Sequence, residues 1–387
     1  MTRFKPSKGS KTSLLGKTIP LKIEKLAVGG DGLGRYEGMV IFVPFTVPGD
    51  EVLAQITEQK SNHAFGEIKE LVSAGIDRTE PPCPYYFKCG GCNWQHLEAK
   101  AQLKYKEILV AENLKKFLRF DVPVLPMIPS PKNWRYRNRI QLSSQGPLLG
   151  FRKRNSHQII DIKDCLITEE VLTDSLPLIR KNLETASQRI ELFLTEDGTA
   201  HWENVAAAGE GVGFSQVNRF QNEDLIRTVL DWITVRPQSI LELYAGAGNF
   251  TWPLAKKFPE ASYLALELSA LLVARAQKKN ELFPSVQFIA SDVEAYLKTS
   301  AVQKHDLVFL DPPRQGTTAD VMESLAAARP SQILYLSCHP VSLARDLSVF
   351  LKACEKYGVK YRIYRVQPFE MFPHTDHVET LVELRVD

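Results

Sequence analysis

The chain has 387 residues, enough for two or three domains that each bury their own core, and we expect three. Its 48 basic and 45 acidic residues nearly cancel, and its 44% hydrophobic content is that of an ordinary globular protein. No run of about 18 apolar residues occurs, and no apolar segment follows the N-terminal lysines. We therefore predict neither a membrane span nor a signal peptide, and we expect a cytoplasmic monomer.

Basic residues are concentrated in two stretches of the chain. Residues 3–25 are basic throughout apart from Glu24, and residues 132–157 contain no carboxylate. The second stretch also contains three aromatic residues, Trp134, Tyr136 and Phe151. Basic side chains interleaved with rings are typical of a surface that follows phosphates and stacks on bases, so RNA is the predicted partner.

After a basic tail over residues 1–13, short β-like runs follow one another over residues 14–74. Glycine-rich turns at Gly29–Gly32 and Pro48–Asp50 separate them. This pattern predicts a small OB-like β-barrel, a shape often used to hold single-stranded nucleic acid. The segment GGDGLGRYEGMVIFVPFTVPGDEV closely resembles the TRAM domain, a small RNA-binding module of RNA-modifying enzymes.

Four of the six cysteines have the spacing of a metal site. Cys83, Cys89 and Cys92 lie in CPYYFKCGGCNWQH, and Cys165 lies in DIKDCLI. In a reducing compartment such cysteines indicate metal binding before disulfides, and Gly90-Gly91 allows close wrapping of the backbone. Four thiolates suit either tetrahedral zinc or an iron-sulfur cluster, and the ligand count does not separate the two.

These cysteines fall in a predicted central α+β domain over residues 75–205. Apolar residues recur at helical intervals between Gln95 and Asp121, which predicts one amphipathic helix. Basic strands around RYRNRIQLS, a helix near Leu172 to Glu184 and strands near IELFLT follow.

From residue 206 to residue 387 the pattern is that of a catalytic α/β domain. A helix follows FSQVN, and from Ser239 onward strands and helices alternate. Alternation of this kind predicts a doubly wound, Rossmann-like parallel sheet. The last two β-like runs are too close together for a crossover helix, so they should form an antiparallel pair at the sheet edge.

The carboxyl ends of the first three strands carry the residues of a nucleoside site. Gly246 and Gly248 follow the first strand, Glu267 ends the second about 20 residues later, and Asp292 ends the third. A carboxylate at Glu267 can take two ribose hydroxyls, and Asp292 would lie near an adenine amino group. Because no third glycine completes a dinucleotide fingerprint, the layout favours S-adenosylmethionine over NAD.

The fourth and fifth strands supply the chemistry. Asp311 begins a DPPR segment whose prolines fix the backbone at the pocket edge, and Arg314 stands where amine methyltransferases usually have an aromatic residue. Cys338 ends the strand ILYLSC, and the helix that follows should favour its thiolate. Ring-carbon methylation needs such a nucleophile, because thiolate addition at uracil C6 makes C5 nucleophilic.

A base must then remove the C5 proton. Glu379 in FPHTDHVETL is the residue that we predict for this role, with His374 and His377 as rivals.

Barrel, cysteine cluster, FSQVN, LYAGAGNF, DPPR, LSCHP and MFPHTDHVE occur in the order found in the RNA uridine-5-methyltransferases, which the chain resembles from about Leu14 to its end. Many relatives carry cysteine where this chain has Tyr244-Ala245. The resemblance implies a [4Fe-4S] cluster on Cys83, Cys89, Cys92 and Cys165, with Cys338 as nucleophile and Glu379 as base. It also implies a cofactor and uracil pocket lined by Gln216, Tyr244, Asn249, Glu267, Asp292 and Asp311.

Helix 95–121 would then pack on the catalytic domain. The expected substrate is 23S rRNA, with tRNA as the alternative. A non-catalytic iron-sulfur protein that binds RNA is the competing class, and the intact Cys338 and Glu379 count against it. The basic stretches and the barrel count against a small uracil-like metabolite as the substrate.

Overall fold

The computed structural model describes residues 13–183, 187–205, 216–299 and 305–387. They form two compact units: residues 13–82 with 93–98, and residues 83–92 with the described residues from 99 onward. Most of the basic tail and the end of the helix predicted near Leu172 to Glu184 lie outside the described residues. Within the described ranges, no helix is both long and apolar enough to cross a membrane.

The first unit contains a closed five-stranded barrel, as the sequence predicted, with strand order β1-β2-β3-β5-β4. Alternate residues of each strand point inward, so Ile19, Leu21 and Ile23 of the first strand enter the core. The strands are β1 (Thr18–Leu26), β2 (Gly32–Tyr36), β3 (Met39–Val43), β4 (Glu51–Gln59) and β5 (His63–Ser73).

Asp50 ties the barrel to the chain that leaves it. Its buried carboxylate accepts hydrogen bonds from the backbone N–H groups of Val47 (2.7 Å) and Gly75 (2.8 Å) and from Arg78 Nε (3.0 Å). Burial acts to raise the pKa of Asp50, but the hydrogen bonds outweigh it and hold the pKa below its ordinary value. The ion pair between Asp50 and Arg78 therefore stabilises the first unit.

Asp50→Asn should destabilise the barrel by about 3 to 5 kcal/mol, because it leaves the guanidinium of Arg78 without its buried partner. Because the folded-state pKa is lowered, this contribution is complete well above the ordinary value of 3.8 and is lost as the pH falls through the folded-state pKa. Hydrogen exchange of the barrel strands at neutral and acidic pH measures both effects. Glu51→Gln, which breaks only the exposed pair with Lys22, should cost under about 1 kcal/mol; equal losses in the two variants would contradict the prediction.

The second unit begins with the helix predicted between Gln95 and Asp121, which spans Ala99–Leu118. Val110 and Leu114 on this helix share a hydrophobic core with Leu343 and Leu347 of the last helix. A five-stranded sheet of order β10-β9-β6-β7-β8 follows. These elements are α1 (Ala99–Leu118), β6 (Arg139–Gln145), β7 (Leu148–Arg152), β8 (Ile159–Asp161), α2 (Glu170–Thr173), α3 (Leu176–Lys181), β9 (Gln188–Leu194) and β10 (Ala200–Asn204).

A seven-stranded sheet of order β13-β12-β11-β14-β15-β17-β16 completes the unit. The first five strands in this order are parallel to one another. At one edge of the sheet, β17 runs antiparallel to both of its neighbours, β15 and β16. This arrangement confirms the doubly wound prediction. The elements are α4 (Arg219–Trp232), β11 (Ser239–Leu243), α5 (Thr251–Lys257), β12 (Ser262–Glu267), α6 (Ala270–Gln277), β13 (Val286–Ala290), α7 (Val293–Thr299), β14 (Leu307–Leu310), α8 (Ala319–Ala328), β15 (Gln332–Ser337), α9 (Pro340–Lys356), β16 (Tyr361–Phe369) and β17 (Glu379–Val386).

Candidate active site

The carboxyl ends of β11, β12, β14 and β15 meet at one edge of the seven-stranded sheet. Open α/β sheets bind ligands at this edge, where the strand order reverses between β11 and β14. Because β17 is antiparallel to β15, its first residue lies at the same edge, and Ser337 pairs with Thr380. Cys338 and Glu379, 41 positions apart in sequence, are therefore brought to neighbouring strand ends.

The surroundings of Cys338 do not favour the thiolate that the sequence analysis predicted. Burial, followed by the charges of Glu379 and Asp311, raises the pKa of the Cys338 thiol to about 12, and the opposing effect of Arg314 is smaller. The N-terminus of α9 is capped by the side chain of His339, which accepts from the backbone N–H of Ser342 at 3.3 Å. The helix effect is thus outweighed, and the sulfur is a thiol at neutral pH.

Glu379 is itself a perturbed acid. Its side chain is 2% exposed, and its Oε1 atom is buried without a hydrogen-bond partner. Burial and the charge of Asp311 raise its pKa well above the ordinary value, while burial and the charge of Glu242 raise the pKa of Asp311. A buried carboxyl group with a raised pKa has a high affinity for a proton, which suits a site that takes up a proton.

The loop after β11 is bound by the end of β12. Tyr244 adopts a left-handed backbone conformation with φ of 63°, and Gly246 has φ of 59°. The Glu267 carboxylate accepts from the backbone N–H groups of Gly246 and Ser269, both at 2.9 Å. Glu267 therefore fixes the two turns that border the predicted nucleoside site, a role that the sequence analysis did not anticipate.

Three other predicted cofactor residues make local hydrogen bonds. The Gln216 carbonyl accepts from Asn138 Nδ2 at 3.2 Å, and the amides of Asn249 and Asn222 exchange hydrogen bonds of 2.9 and 3.0 Å. Asp292 follows β13 and accepts from the backbone N–H of Ala295 at 2.9 Å, so it caps the start of α7.

The four candidate metal-ligating cysteines are all partly exposed. Burial raises the pKa of Cys89 to about 11, and the charges of Cys165 and Cys83 add to that rise, so these three sulfurs share one neighbourhood. Gly91 donates its backbone N–H to Cys89 Sγ at 3.4 Å. Among the residues that the structure describes, however, no three histidine, cysteine, aspartate or glutamate side chains are arranged to hold a metal ion.

Part of the basic stretch 132–157 is used for internal structure instead of for RNA. Tyr136 is fully buried and donates its hydroxyl to the Pro373 carbonyl at 3.0 Å, so it cannot stack on a base. Arg135 pairs with Asp164 at 2.7 Å. The prediction that Tyr136 offers an RNA-stacking ring is therefore wrong, because a ring between charged neighbours can still point into the core.

The rival base His374 is held from two sides. Its ring stacks on Trp134 with 3.6 Å between centroids, and its backbone N–H donates to Gln102 Oε1 at 2.8 Å. Burial lowers the pKa of His374 to about 3 and that of His377 to about 4. Both imidazoles are neutral at pH 7.

Sequence reasoning missed two polar residues of α1. Gln102 contacts His374, and Lys106 donates to Glu370 and to the Phe372 carbonyl (3.1 Å). Lys106 is fully buried although lysine almost never is, and burial lowers its pKa. Their spacing of four residues, on the same face as the apolar positions of this helix, was the signal available in the sequence.

Two family models match parts of this chain. The family model described as tRNA (Uracil-5-)-methyltransferase matches residues 205–386, and the TRAM domain model matches residues 12–69. An RNA methyltransferase of Bdellovibrio bacteriovorus, described as uncharacterized, is 49% identical, and the alignment covers 98% of each chain.

A 23S rRNA (uracil(1939)-C(5))-methyltransferase of Shewanella sediminis, RlmD, is 28% identical, with 100% of each chain covered. The solved structure of the Pyrococcus abyssi tRNA (uracil-54, C5)-methyltransferase superposes with a TM-score of 0.73 over 94% of this chain and 99% of that one, at 24% identity. It shares the fold. The chain belongs to the RNA uracil-5-methyltransferase family, whose members transfer a methyl group from S-adenosylmethionine to C5 of uracil in RNA.

Proposed function

We propose that this chain methylates C5 of a uridine in 23S rRNA, with Cys338 as nucleophile and Glu379 as base. The observation that carries the proposal is the pairing of β15 with β17, which sets a cysteine at one sheet edge beside a buried carboxyl group whose Oε1 atom has no hydrogen-bond partner. The 23S rRNA substrate rests on relatives that carry that name and align with this chain over 98% or more of both lengths.

The residues act in a defined order. The Cys338 thiol gives its proton to solvent, and its thiolate adds to C6 of the uracil, which places enolate density on C5. Bound S-adenosylmethionine would supply the methyl group to C5, with the neutral thioether S-adenosylhomocysteine as the leaving group. Glu379 accepts the C5 proton, the bond between Sγ and C6 breaks, and the double bond between C5 and C6 is restored. Burial, followed by the charge of Asp311, keeps the pKa of Glu379 high, so that the carboxylate is a strong proton acceptor once it is ionised.

The pocket for S-adenosylmethionine would be bordered by the two turns that Glu267 fixes. We propose that seven residues line the cofactor and uracil pocket: Gln216, Tyr244, Gly246, Asn249, Glu267, Asp292 and Asp311.

The barrel would bind RNA. Phe42 and Phe65 lie on adjacent strands with ring centroids 5.5 Å apart, and His63 lies 5.3 Å from Phe65. All three rings are half-buried and point away from the barrel core, whereas their neighbours Ile41 and Ala64 point into it. Such rings can stack on unpaired bases.

A [4Fe-4S] cluster on Cys83, Cys89, Cys92 and Cys165 is the second part of the proposal. The shared neighbourhood of three of these sulfurs and the backbone N–H donated to Cys89 support it. Because methyl transfer moves no net electron, the cluster would position the segment or the RNA. Anaerobically purified protein should contain about four iron and four sulfide per chain; stoichiometric zinc with no iron would refute this part alone.

The substrate is tested by nucleoside mass spectrometry. The protein and S-adenosylmethionine are incubated separately with unmodified 23S rRNA and unmodified tRNA, with Cys338→Ala as control. New 5-methyluridine only in rRNA supports the proposal. Product only in tRNA would overturn the substrate, and product from Cys338→Ala would overturn the mechanism.

The raised pKa values predict the pH dependence. Below its pKa of about 12 the thiolate fraction of Cys338 rises tenfold per pH unit, and ionisation of Glu379 also increases with pH. The pre-steady-state rate of adduct formation should therefore rise between pH 6.5 and pH 8.5, by roughly tenfold per unit if thiol ionisation limits it. A rate that falls over this range would contradict the assignment of a high-pKa thiol.

A further inference from the structure

The segment Asp311–Thr317, which carries the pocket residues Asp311 and Arg314, has an anchor that the chemistry above does not use. Asp346 lies on α9, eight positions after Cys338, and its side chain is buried. Its Oδ2 atom accepts from the backbone N–H of Thr317 at 2.9 Å and from the hydroxyl of Tyr335 at 2.6 Å. One carboxylate oxygen thus joins the segment to the strand that ends at Cys338.

The same helix holds the segment at further points. Arg345 Nε donates to Asp346 Oδ1 at 2.8 Å, and its Nη2 donates to the Gln315 carbonyl at 2.7 Å. Ser342 Oγ donates to the Arg314 carbonyl at 3.0 Å. The backbone around Arg314 is therefore attached to the first two turns of α9.

The segment packs tightly against α9 at Gly316. Gly316 has φ of 80°, and a Cβ atom there would lie 2.3 Å from Asp346 Oδ2 and 2.6 Å from Arg345 Nη2. The neighbouring Thr317 accepts the hydroxyl of Tyr244 at 3.1 Å. Thr317 therefore connects Asp346 to Tyr244, because its backbone N–H donates to Asp346 and its hydroxyl accepts from Tyr244. Tyr244 belongs to the loop that borders the predicted cofactor site.

We infer that Asp346 is a positioning residue for methyl transfer, which fixes Arg314 relative to the sulfur of Cys338 and fixes Tyr244 relative to the cofactor. The inference rests on the proposed role of Cys338. Arg314 is the cation that acts on this thiol, and its effect depends on a distance that the Asp346 anchor sets. A carboxylate suits this role because it accepts from several donors at once.

Asp346→Asn keeps the shape but puts an NH2 group in place of one acceptor oxygen. We expect kcat to fall by about 10- to 100-fold and the KM for S-adenosylmethionine to rise, because misplacement of reacting groups has effects of that order. The rate of Cys338 alkylation by iodoacetamide, followed by mass spectrometry of its peptide, should fall several-fold at pH 8, with its pH profile displaced upward. Because alkylation needs no RNA, it tests Asp346 even if the RNA substrate is assigned wrongly.

Asp306→Asn is the matched control. Asp306 accepts from the backbone N–H groups of Gln238 (2.7 Å) and Ser239 (3.1 Å) at the opposite edge of the same sheet. The Asp306→Asn variant should be less stable than the wild type, but the pH profile of Cys338 alkylation should not shift. Arg345 is half-exposed, and Arg345→Met removes its hydrogen bond to the Gln315 carbonyl. This variant tests the inference if Asp346→Asn fails to fold. A folded Asp346→Asn or Arg345→Met protein with wild-type alkylation and wild-type kcat would overturn the inference.

Discussion

Cys338→Ala should abolish formation of 5-methyluridine, with a loss of at least about 10⁴-fold, while S-adenosylmethionine still binds. The Cys338 thiol is the group that we propose adds to C6, and uracil C5 does not attack a methyl group without that addition. Turnover and equilibrium binding of S-adenosylmethionine, measured on the same preparation, separate the chemical defect from a folding defect.

Cys354→Ala is the control for cysteine removal. Cys354 lies on α9, the helix that follows Cys338, but it is buried in the hydrophobic core. This variant should be slightly less stable and should keep its activity and its adduct. Normal turnover by Cys338→Ala would rule out the covalent route.

Glu379→Gln should permit methyl transfer but stall release of the product. An amide cannot take the C5 proton, so the bond between Cys338 and C6 persists after the methyl group has arrived. We expect turnover to fall by about 10²- to 10⁴-fold, and one equivalent of labelled methyl to migrate with the protein on a denaturing gel. Cys338→Ala/Glu379→Gln should form no such adduct.

The rival bases are tested in the same assay. His374→Asn keeps a residue that tolerates the left-handed backbone, with φ of 67°, and His377→Asn removes the other imidazole. Both variants should release product. Adduct accumulation in a histidine variant, with normal release by Glu379→Gln, would move the base to that histidine.

The order of elements followed from local patterns. Short β-like runs separated by glycine-rich turns predicted the barrel, and alternation of strands with helices after Ser239 predicted the doubly wound sheet, because both patterns are local in the chain. The close spacing of the last two β-like runs predicted their antiparallel pairing, which the register of β16 with β17 confirms.

Electrostatics could not be predicted in this way. The helix after Cys338 suggested a thiolate, but the dominant effects are burial and the charges of Glu379 and Asp311, which come from other strands. Likewise, Lys106 and Glu370 form their buried pair across 264 positions, and no periodicity in either segment specifies that partner. Tyr136 shows the same limit, since its basic neighbours gave no sign that its ring is buried.

By itself the sequence determined the family, the types of element and the residues able to do the chemistry, because these are written in motifs and in local hydrophobic patterns. Only the tertiary structure decided which of those residues meet. The antiparallel insertion of β17 beside β15 sets Glu379 next to Cys338, and the Asp346 carboxylate joins the Arg314 segment to the same site. The physical reason is that strand order and buried charge pairs depend on packing between segments far apart in the chain, and local patterns carry no record of that packing.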